Sequence, residues 1–193
     1  MSGNLVIAAL TGTRRALVFD ASKNTFARLL EGMNVFQEAN ADFTIVAVVH
    51  RDAAGADQTI FDLFAGLNSG ASTEVLQRIR LRWSAANGTG LDRGNGSSTA
   101  TAALGTPSTS APNIIVFRGS RSGDQLCRGV MNAGSFTSTA VRSITLNTWT
   151  NIHLGATAVW SGGTSGFATF TKFLTGKIER LACFEGSADD TNM

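Results

Sequence analysis

Residues 43–50, which read F-T-I-V-A-V-V-H, limit the possible folds of this chain more than its other segments do. β-Branched residues dominate this stretch, and their side chains pack well on the pleated surface of a strand. Successive side chains of a strand point to opposite faces, and here both alternating sets are largely apolar. The pattern therefore predicts a central strand that lies between two packed layers.

Short apolar segments of strand length recur along the whole chain, separated by turns rich in Gly, Asn and Ser. The last of them, residues 178–184, follows Gly176 and is typical of a strand buried on both faces. About ten short strands without alternating helices predict an all-β sandwich. The predicted strands include residues 16–20, 42–50, 59–65, 79–84, 113–118, 125–130, 139–146 and 178–184.

Two segments are harder to assign. Residues 75–84 fit a helical spacing, but the period-two pattern of their second half favours a strand there. Residues 85–112 are mostly Gly, Ser, Thr, Ala and Asn, which indicates a loop insertion with one weak strand at residues 99–104. Within that loop, residues 88–94 (G-T-G-L-D-R-G) lack the G-x-G-x-x-G spacing of a nucleotide-binding loop, so we interpret them as a flexible loop.

Length and composition fit one domain over residues 1–193. The formal net charge is only +2, so no nucleic-acid partner is expected. No apolar run approaches the roughly 20 residues of a membrane helix, and the N-terminal segment lacks the basic flank of a signal peptide, so neither membrane insertion nor export is expected. Cys127 and Cys183 both lie in apolar contexts typical of reduced core cysteines, and whether they form a disulfide stays open.

Four pieces of the chain, in their order, resemble the laminin G-like and concanavalin A-like jelly roll. They are residues 17–20 (L-V-F-D), residues 42–45 (D-F-T-I), the hairpin of residues 114–132, and residues 152–156 followed by residues 176–179. The resemblance covers nearly the whole chain and implies a β-sandwich of two antiparallel sheets. This family includes sugar-binding lectins, glucan hydrolases and receptor-binding modules, and similar domains occur in bacteriophage virion proteins, so the fold alone does not decide the function.

The acidic residues and histidines do not indicate a catalytic site. A retaining glycosidase needs two carboxyl groups about 5 Å apart, but Glu74, Glu179 and Glu185 each lack a same-face carboxylate two residues away. His50 and His153 are interpreted as structural, and with two cysteines they do not supply the grouped ligands of a zinc site. We therefore expect no enzyme activity and no cofactor. Calcium is the remaining alternative, and its candidate ligands are Asp20, Asp52, Asp57, Asp62, Asp189 and Asp190.

Arg78, Arg80 and Arg82 alternate with three apolar residues, which predicts one apolar and one cationic face on the same strand. Three like charges repel one another unless solvent or an acidic partner relieves them. These arginines are therefore a candidate contact for an anionic glycan or for an acidic patch on a neighbouring subunit. The alternative is a solvated face or edge that resists strand-to-strand aggregation. Trp160, beside the glycine-rich residues 161–166, is a candidate for stacking on a sugar ring.

By analogy with the bacteriophage proteins, we expect a non-catalytic virion-surface component, such as a capsid decoration, head-fibre or tail-associated protein. Such a protein is assembled in the host cytoplasm and acts as a homo-oligomer on virion or capsid proteins, where many modest contacts add through effective concentration. A host-surface glycan is a further candidate partner. The alternatives are a lectin-like carbohydrate-binding module and a glycan hydrolase with an atypical site.

Overall fold

The computed structural model describes residues 6–9, 15–29, 42–52, 55–64, 77–85, 88–95, 98–120, 123–125, 127–140, 142–144, 151–160 and 168–185. These residues form strands joined by turns, and the one helical element among them is the 3₁₀ turn Ala21–Lys23. The first strands are β1 (Val6–Ala9), β2 (Arg15–Phe19), β3 (Ala27–Leu29), β4 (Asp42–Arg51), β5 (Gln58–Phe64), β6 (Gln77–Ser84), β7 (Gly88–Asn95), β8 (Thr99–Gly105) and β9 (Asn113–Ser120). The others are β10 (Gly123–Gln125), β11 (Arg128–Met131), β12 (Thr137–Ser138), β13 (Arg142–Ile144), β14 (Asn151–Leu154), β15 (Thr157–Trp160), β16 (Ala168–Thr171) and β17 (Gly176–Glu185). Within the described ranges, no helix has the length and apolar character needed to cross a membrane.

Two antiparallel sheets contain most of these strands. The seven-stranded sheet has the order β1-β2-β17-β4-β9-β11-β12, and the six-stranded sheet has the order β3-β14-β5-β6-β7-β8. Two short ribbons pair β10 with β13 and β15 with β16. Some neighbours are distant in sequence, such as β17 between β2 and β4 and β14 between β3 and β5, while β5 to β8 follow one another in chain order. The predicted all-β sandwich of two antiparallel sheets is confirmed.

The hydrophobic core lies between the two large sheets. Alternate residues of β4 point into it and are fully buried, and the alternate apolar residues of β6 face them from the other sheet. Burial of each large side chain of this kind contributes about 1.5–3 kcal/mol relative to exposure. The inward residues of these two strands are Phe43, Ile45, Ala47, Val49, Ile79, Leu81 and Trp83.

The closing strand has the predicted position but not the predicted burial. β17 lies between β2 and β4, inside the seven-stranded sheet. Only one of its faces meets the core, because Phe184 is 52% exposed and Arg180 is exposed as well. The expectation of burial on both faces was therefore wrong, since no second layer of described residues covers the outer side of this strand. Residues 186–190, which belong to the same sequence segment, lie outside the described residues.

The region 85–112 is not a loop insertion. β7 is a full strand that pairs with β6 on one side and β8 on the other, and β8 confirms the weak strand expected at residues 99–104. The glycines of β7 led to the wrong prediction of a flexible loop, because within the paired sheet a glycine such as Gly90 leaves room for neighbouring side chains. A Cβ atom on Gly90 would lie 3.7 Å from Cζ of Arg82 and 3.3 Å from Cγ2 of Thr101. The assignment of residues 1–193 to a single domain stays a prediction.

Two predicted strands are divided in the structure. The segment 125–130 contributes to β10 and β11, and β9 pairs with β11 rather than with β10. The segment 139–146 contains β13, which pairs with β10, while β12 ends just before that segment begins. These short pieces form the rim of the sandwich and leave its two large sheets unchanged.

Candidate functional site

Three arginines of β6 lie on the face of the six-stranded sheet that points away from the core. Because the alternating apolar residues of β6 are fully buried in the core, Arg78, Arg80 and Arg82 point to the opposite side. The prediction of one apolar and one cationic face is confirmed. The alternative of a solvated edge was wrong, since β6 lies between β5 and β7 and Arg78 is only 1% exposed. We term this outer surface of the six-stranded sheet the arginine face.

One row of cross-strand neighbours crosses the whole arginine face. Asp62 of β5 and Asp92 of β7 lie on either side of Arg80, so that acidic and basic residues alternate in the middle of the sheet. This alternation relieves the repulsion that the arginines would otherwise exert on one another. In order from β3 to β8 the row contains Arg28, His153, Asp62, Arg80, Asp92 and Thr101.

The ion pair of Asp62 and Arg78 holds the β15–β16 hairpin against the arginine face. Nε of Arg78 lies 2.7 Å from Oδ1 of Asp62, and both side chains are buried. The backbone N–H of Ala158 donates to Oδ2 of Asp62 at 3.0 Å, and Nη2 of Arg78 donates to the carbonyl oxygen of the same Ala158. Burial raises the pKa of Asp62, and the positive charge of Arg78 opposes that rise.

Hydroxyl groups add to the docking of this hairpin. The side-chain hydroxyls of Thr59 and Thr157 form a buried hydrogen bond, and Nη1 of Arg80 donates to Oγ1 of Thr157 at 3.3 Å. The β15–β16 hairpin therefore covers the part of the arginine face that contains Arg78. What remains open lies toward β7 and β8.

Asp92 orients Arg80 and Arg82 in the open part of the arginine face. Its Oδ2 accepts hydrogen bonds from Nε and Nη2 of Arg80, at 2.9 and 2.8 Å, and from Nε of Arg82 at 2.7 Å. Its Oδ1 accepts a hydrogen bond from the hydroxyl of Thr101 at 2.6 Å. Burial alone would raise the pKa of Asp92, but the two arginines and Thr101 outweigh this effect, so the pKa is lowered. The carboxylate therefore stays ionised and fixes the orientation of both guanidinium groups.

Arg82 is the most exposed of the three arginines. Its side chain is 14% exposed, against 6% for Arg80 and 1% for Arg78. Three guanidinium groups face only two carboxylates here, which leaves one positive charge in excess. Within the described contacts only Nε of Arg82 is bonded, so its two η nitrogens remain available on the side where Gly90 leaves space.

Short side chains surround Arg82 on the side of β8. Thr99, Thr101 and Ala103 are exposed on this strand, and none of them is large enough to cover the guanidinium group. The β7–β8 end of the arginine face is thus a shallow polar surface with one cation in excess. Such a surface suits a small anion attached to a larger polar molecule.

An aromatic cluster closes the opposite end of the arginine face. The rings of Phe26 and Phe170 are stacked with their centroids 4.0 Å apart, and His153 meets Phe170 edge-on at 4.9 Å. Burial, together with the charges of Arg28 and Arg78, lowers the pKa of His153 to about 4. His153 is therefore neutral near pH 7, which agrees with a structural role.

Trp160, the candidate for stacking on a sugar ring, ends β15. Its backbone pairs with that of Ala168, in the same hairpin that Asp62 and Arg78 hold against the arginine face. The topology thus assigns the arginines and Trp160 to one face of the six-stranded sheet. The side chain of Trp160 lies outside the described part of the structure, so stacking on a sugar stays a prediction.

The partners Asp62 and Asp92 were missed at the sequence level. Their pairing depends on strand register, which a local pattern does not reveal. One usable signal existed for Asp92, because the dipeptide Asn87-Gly88 is typical of a tight hairpin turn. A hairpin centred there would pair Asp92 with Trp83, three residues out of the observed register, so this signal indicates the hairpin but not the partner of Arg80.

The described carboxylates do not form a pair open to a substrate. Asp62 and Asp92 are both fully buried, with Arg80 between them. Glu179 lies on the other sheet, where its Oε2 is 3.2 Å from Nε2 of His50. Among residues that the structure describes, no group of three or more His, Cys, Asp or Glu is placed to hold a metal ion.

The loop aspartates considered for calcium have protein partners where they are described. Oδ1 of Asp20 accepts the backbone N–H of Ser22, while Asp52 and Asp57 lie 3.8 Å from Lys177 and Lys172, respectively. Asp189 and Asp190 lie outside the described residues. Calcium binding stays an untested alternative.

Cys127 is buried and carries a free thiol, and burial raises its pKa. The side chain of Cys183 lies outside the described part. Cys127 forms no disulfide in this structure, and the redox state of the two cysteines stays an open question.

No family model and no curated protein sequence matches this chain. Solved structures do match. CBM40 of the Ruminococcus gnavus IT-sialidase, bound to α2,3-sialyllactose, has a TM-score of 0.57 and 18% identity, with 79% of this chain and 80% of that chain covered. The NanB sialidase of Streptococcus pneumoniae (K499G mutant) has a TM-score of 0.63 and 12% identity, with 91% of this chain covered. This chain spans only 26% of the NanB chain.

Domains LG4-5 of the mouse laminin α1 chain also match, with a TM-score of 0.52, 13% identity, and coverage of 82% of this chain and 38% of that chain. At such low identities the likeness concerns the fold alone. None of these three structures is a virion protein, so the expected virion role gains no support from them. In its fold, the chain is similar to laminin G-like and concanavalin A-like jelly-roll domains, as its sequence indicated.

Proposed function

We propose that this chain is a non-catalytic carbohydrate-binding protein whose arginine face binds an acidic glycan at its β7–β8 end. The observation that supports this best is the environment of Arg82. Asp92 holds its Nε, Gly90 leaves room beside its Cζ, and the two η nitrogens have no bond within the described contacts. A guanidinium held in this way loses little conformational freedom when it binds an anion.

The chemistry of a sugar carboxylate suits this arrangement. A guanidinium group and a carboxylate form two parallel charge-assisted hydrogen bonds, which are stronger than bonds between neutral groups. The exposed hydroxyls of Thr99 and Thr101 can accept or donate hydrogen bonds to sugar hydroxyls nearby. Trp160 belongs to the hairpin on the same face and would supply an apolar platform for a sugar ring, as the sequence predicted.

The structural comparisons support an acidic glycan as the ligand class. The CBM40 module of the Ruminococcus gnavus IT-sialidase was solved with α2,3-sialyllactose and with α2,6-sialyllactose, and sialic acid carries a carboxylate. A role at a virion surface stays a prediction for which the structure offers no specific observation. Glycan attachment would be compatible with it but does not require it.

Calorimetric titration with α2,3-sialyllactose and with neutral lactose tests the proposal. We expect the acidic sugar to bind and lactose to bind more weakly or not at all. Arg82→Ala should weaken sialyllactose binding by about 10- to 150-fold, since a hydrogen bond to a charged group is worth about 1.5–3 kcal/mol. The matched control is Arg15→Ala, which removes the same charge from an exposed position on the seven-stranded sheet.

The control distinguishes site binding from general charge attraction. Equal losses for the Arg82 and Arg15 variants would show that net charge alone drives binding. A folded wild-type protein that binds neither sugar, or an Arg82→Ala variant with unchanged affinity, would overturn the assignment of this site.

A further inference from the structure

The hydroxyl of Thr101 lies at the edge of the proposed glycan site, and its hydrogen bond has a fixed direction. Oγ1 of Thr101 is 2.6 Å from Oδ1 of Asp92, and Thr101 is exposed on β8 whereas Asp92 is fully buried. An ionised carboxylate can only accept hydrogen bonds, so the hydroxyl donates its single proton to Asp92. Toward solvent, the oxygen of Thr101 is therefore an acceptor alone.

The surroundings of Asp92 keep this direction from being reversed. Its other oxygen, Oδ2, accepts hydrogen bonds from Nε and Nη2 of Arg80 and from Nε of Arg82, at 2.9, 2.8 and 2.7 Å. Burial would raise the pKa of Asp92, but the charges and hydrogen bonds of its partners lower the pKa overall. The neutral carboxyl group, which could donate to Thr101, is therefore disfavoured.

Arg82 and Thr101 border the same small opening above Gly90. The position of a Cβ atom on Gly90 is 3.7 Å from Cζ of Arg82 and 3.3 Å from Cγ2 of Thr101. The two side chains also bond to the same carboxylate, that of Asp92. An anion on the η nitrogens of Arg82 therefore lies close to the acceptor oxygen of Thr101, and neighbouring groups of one sugar can make both contacts.

We propose that Thr101 is a specificity-determining residue that selects acidic sugars with a hydroxyl group beside their carboxylate. Arg82 binds the carboxylate, and the neighbouring hydroxyl donates its proton to Oγ1 of Thr101. A methoxy group or a second anionic oxygen at that place has no proton to donate and would leave Oγ1 without its hydrogen bond. This inference rests on the proposed glycan binding and specifies the hydrogen-bonding pattern of the ligand.

Titration with a matched pair of sugars, followed by NMR, tests the proposal. Methyl glucuronide has a hydroxyl at carbon 4, next to the carbon that bears the carboxylate, and its 4-O-methyl ether has the same charge without that proton. Wild-type protein should bind the glucuronide about 2- to 12-fold more tightly than the ether, which is the range for one hydrogen bond between neutral groups.

Asp92→Asn reverses the hydrogen bond and separates its direction from the size of the added methyl group. The three N–H donors of Arg80 and Arg82 hold the amide oxygen at the place of Oδ2, so the amide NH₂ group donates to Thr101. The hydroxyl proton of Thr101 then points outward, and this variant should bind both sugars equally well. The ratio of the two affinities is the measure, because the gain in positive charge strengthens the binding of both anions.

Two substitutions of Thr101 leave the charges unchanged. Thr101→Ser keeps the hydroxyl and should keep the preference for the glucuronide, whereas Thr101→Val removes the hydroxyl and should bind both sugars equally. Equal binding by the wild type, or a preference that persists in Thr101→Val, overturns the inference while leaving acidic-glycan binding in place. A folded wild-type protein that binds neither sugar overturns it too, and the sialyllactose titration then decides separately whether the arginine face binds acidic glycans.

Discussion

His153 is a buried titratable residue whose neutral state stabilises the fold. Its side chain packs against Phe170 and Phe26, and its pKa falls from 6.5 to about 4. A group whose folded pKa is depressed favours folding above its unfolded pKa, and this contribution disappears as the pH falls toward the folded value. The stability should therefore decline between about pH 6.5 and pH 4.

We predict that His153 accounts for about 3 kcal/mol of this loss, because one pKa unit corresponds to 1.36 kcal/mol. Urea unfolding of the wild type and of His153→Gln at several pH values across this window measures it. The Gln variant should be less sensitive to pH by that amount. The raised pKa of Asp62 acts in the opposite direction in both proteins, so it cancels in the difference. Parallel pH profiles for the two proteins would contradict the prediction.

Gly155 is required for two separate reasons. Its φ angle is +79°, in the region that favours glycine, and a Cβ atom there would clash with the ring of Phe19. We predict that Gly155→Ala lowers the free energy of unfolding by about 2–4 kcal/mol, from backbone strain and overpacking together. Gly55→Ala is the matched control, since Gly55 has φ of +98° with nothing within 4 Å of the added atom.

Chemical denaturation of both alanine variants separates the two effects. The Gly55 variant should lose only the backbone contribution of about 1–2 kcal/mol. If both variants lose the same amount, the ring of Phe19 moves aside without cost and the packing argument for Gly155 fails.

At the level of elements, the β15–β16 hairpin depends on one buried ion pair. Arg78→Met removes the cation that faces Asp62, and an uncompensated buried charge typically costs about 3–5 kcal/mol. The double variant Arg78→Met with Asp62→Leu removes the uncompensated charge but also both hydrogen bonds to Ala158, so it should recover only part of this loss. Urea unfolding measures both variants, and hydrogen exchange at the amide of Ala158 reports whether the hairpin detaches. Full recovery with unchanged exchange at Ala158 would show that the pair does not hold the hairpin.

β6 and β7 show how far the sequence predicts this site. β6 was predicted because its alternation of apolar and basic residues is local, and alternation alone fixes which side chains face the core. β7 was not predicted as a strand, because Gly90 and Gly94 are typical of a loop when this segment is considered alone. Their role appears only once Arg82 and Arg78 lie opposite them in the paired sheet. Non-local pairing likewise supplies Asp62 and Asp92, the partners that turn three repelling charges into an ordered network.

For the whole molecule, the two sheets differ on their outer surfaces. The outer face of the six-stranded sheet has acidic and basic residues in pairs, with a surplus of positive charge at Arg82. The outer face of the seven-stranded sheet has valines beside the exposed Arg180, which lies opposite Val48. Antiparallel sheets with one solvated face usually alternate apolar with polar residues, and the six-stranded sheet follows that rule with charged side chains that are largely buried. The proposed glycan site rests on the partly exposed cation at the end of this network.

We predict that the binding of sialyllactose depends on salt, because the proposed contact is a charge interaction at a partly exposed side chain. Raising the ionic strength from about 0.1 M to about 1 M shortens the Debye length from about 10 Å to about 3 Å, so the wild-type affinity should fall. Arg82→Ala lacks this interaction, so its remaining affinity should change much less over the same range. Calorimetric titration at both ionic strengths measures the two salt dependences. Equal salt dependence of the wild type and the variant would show that Arg82 does not make the contact.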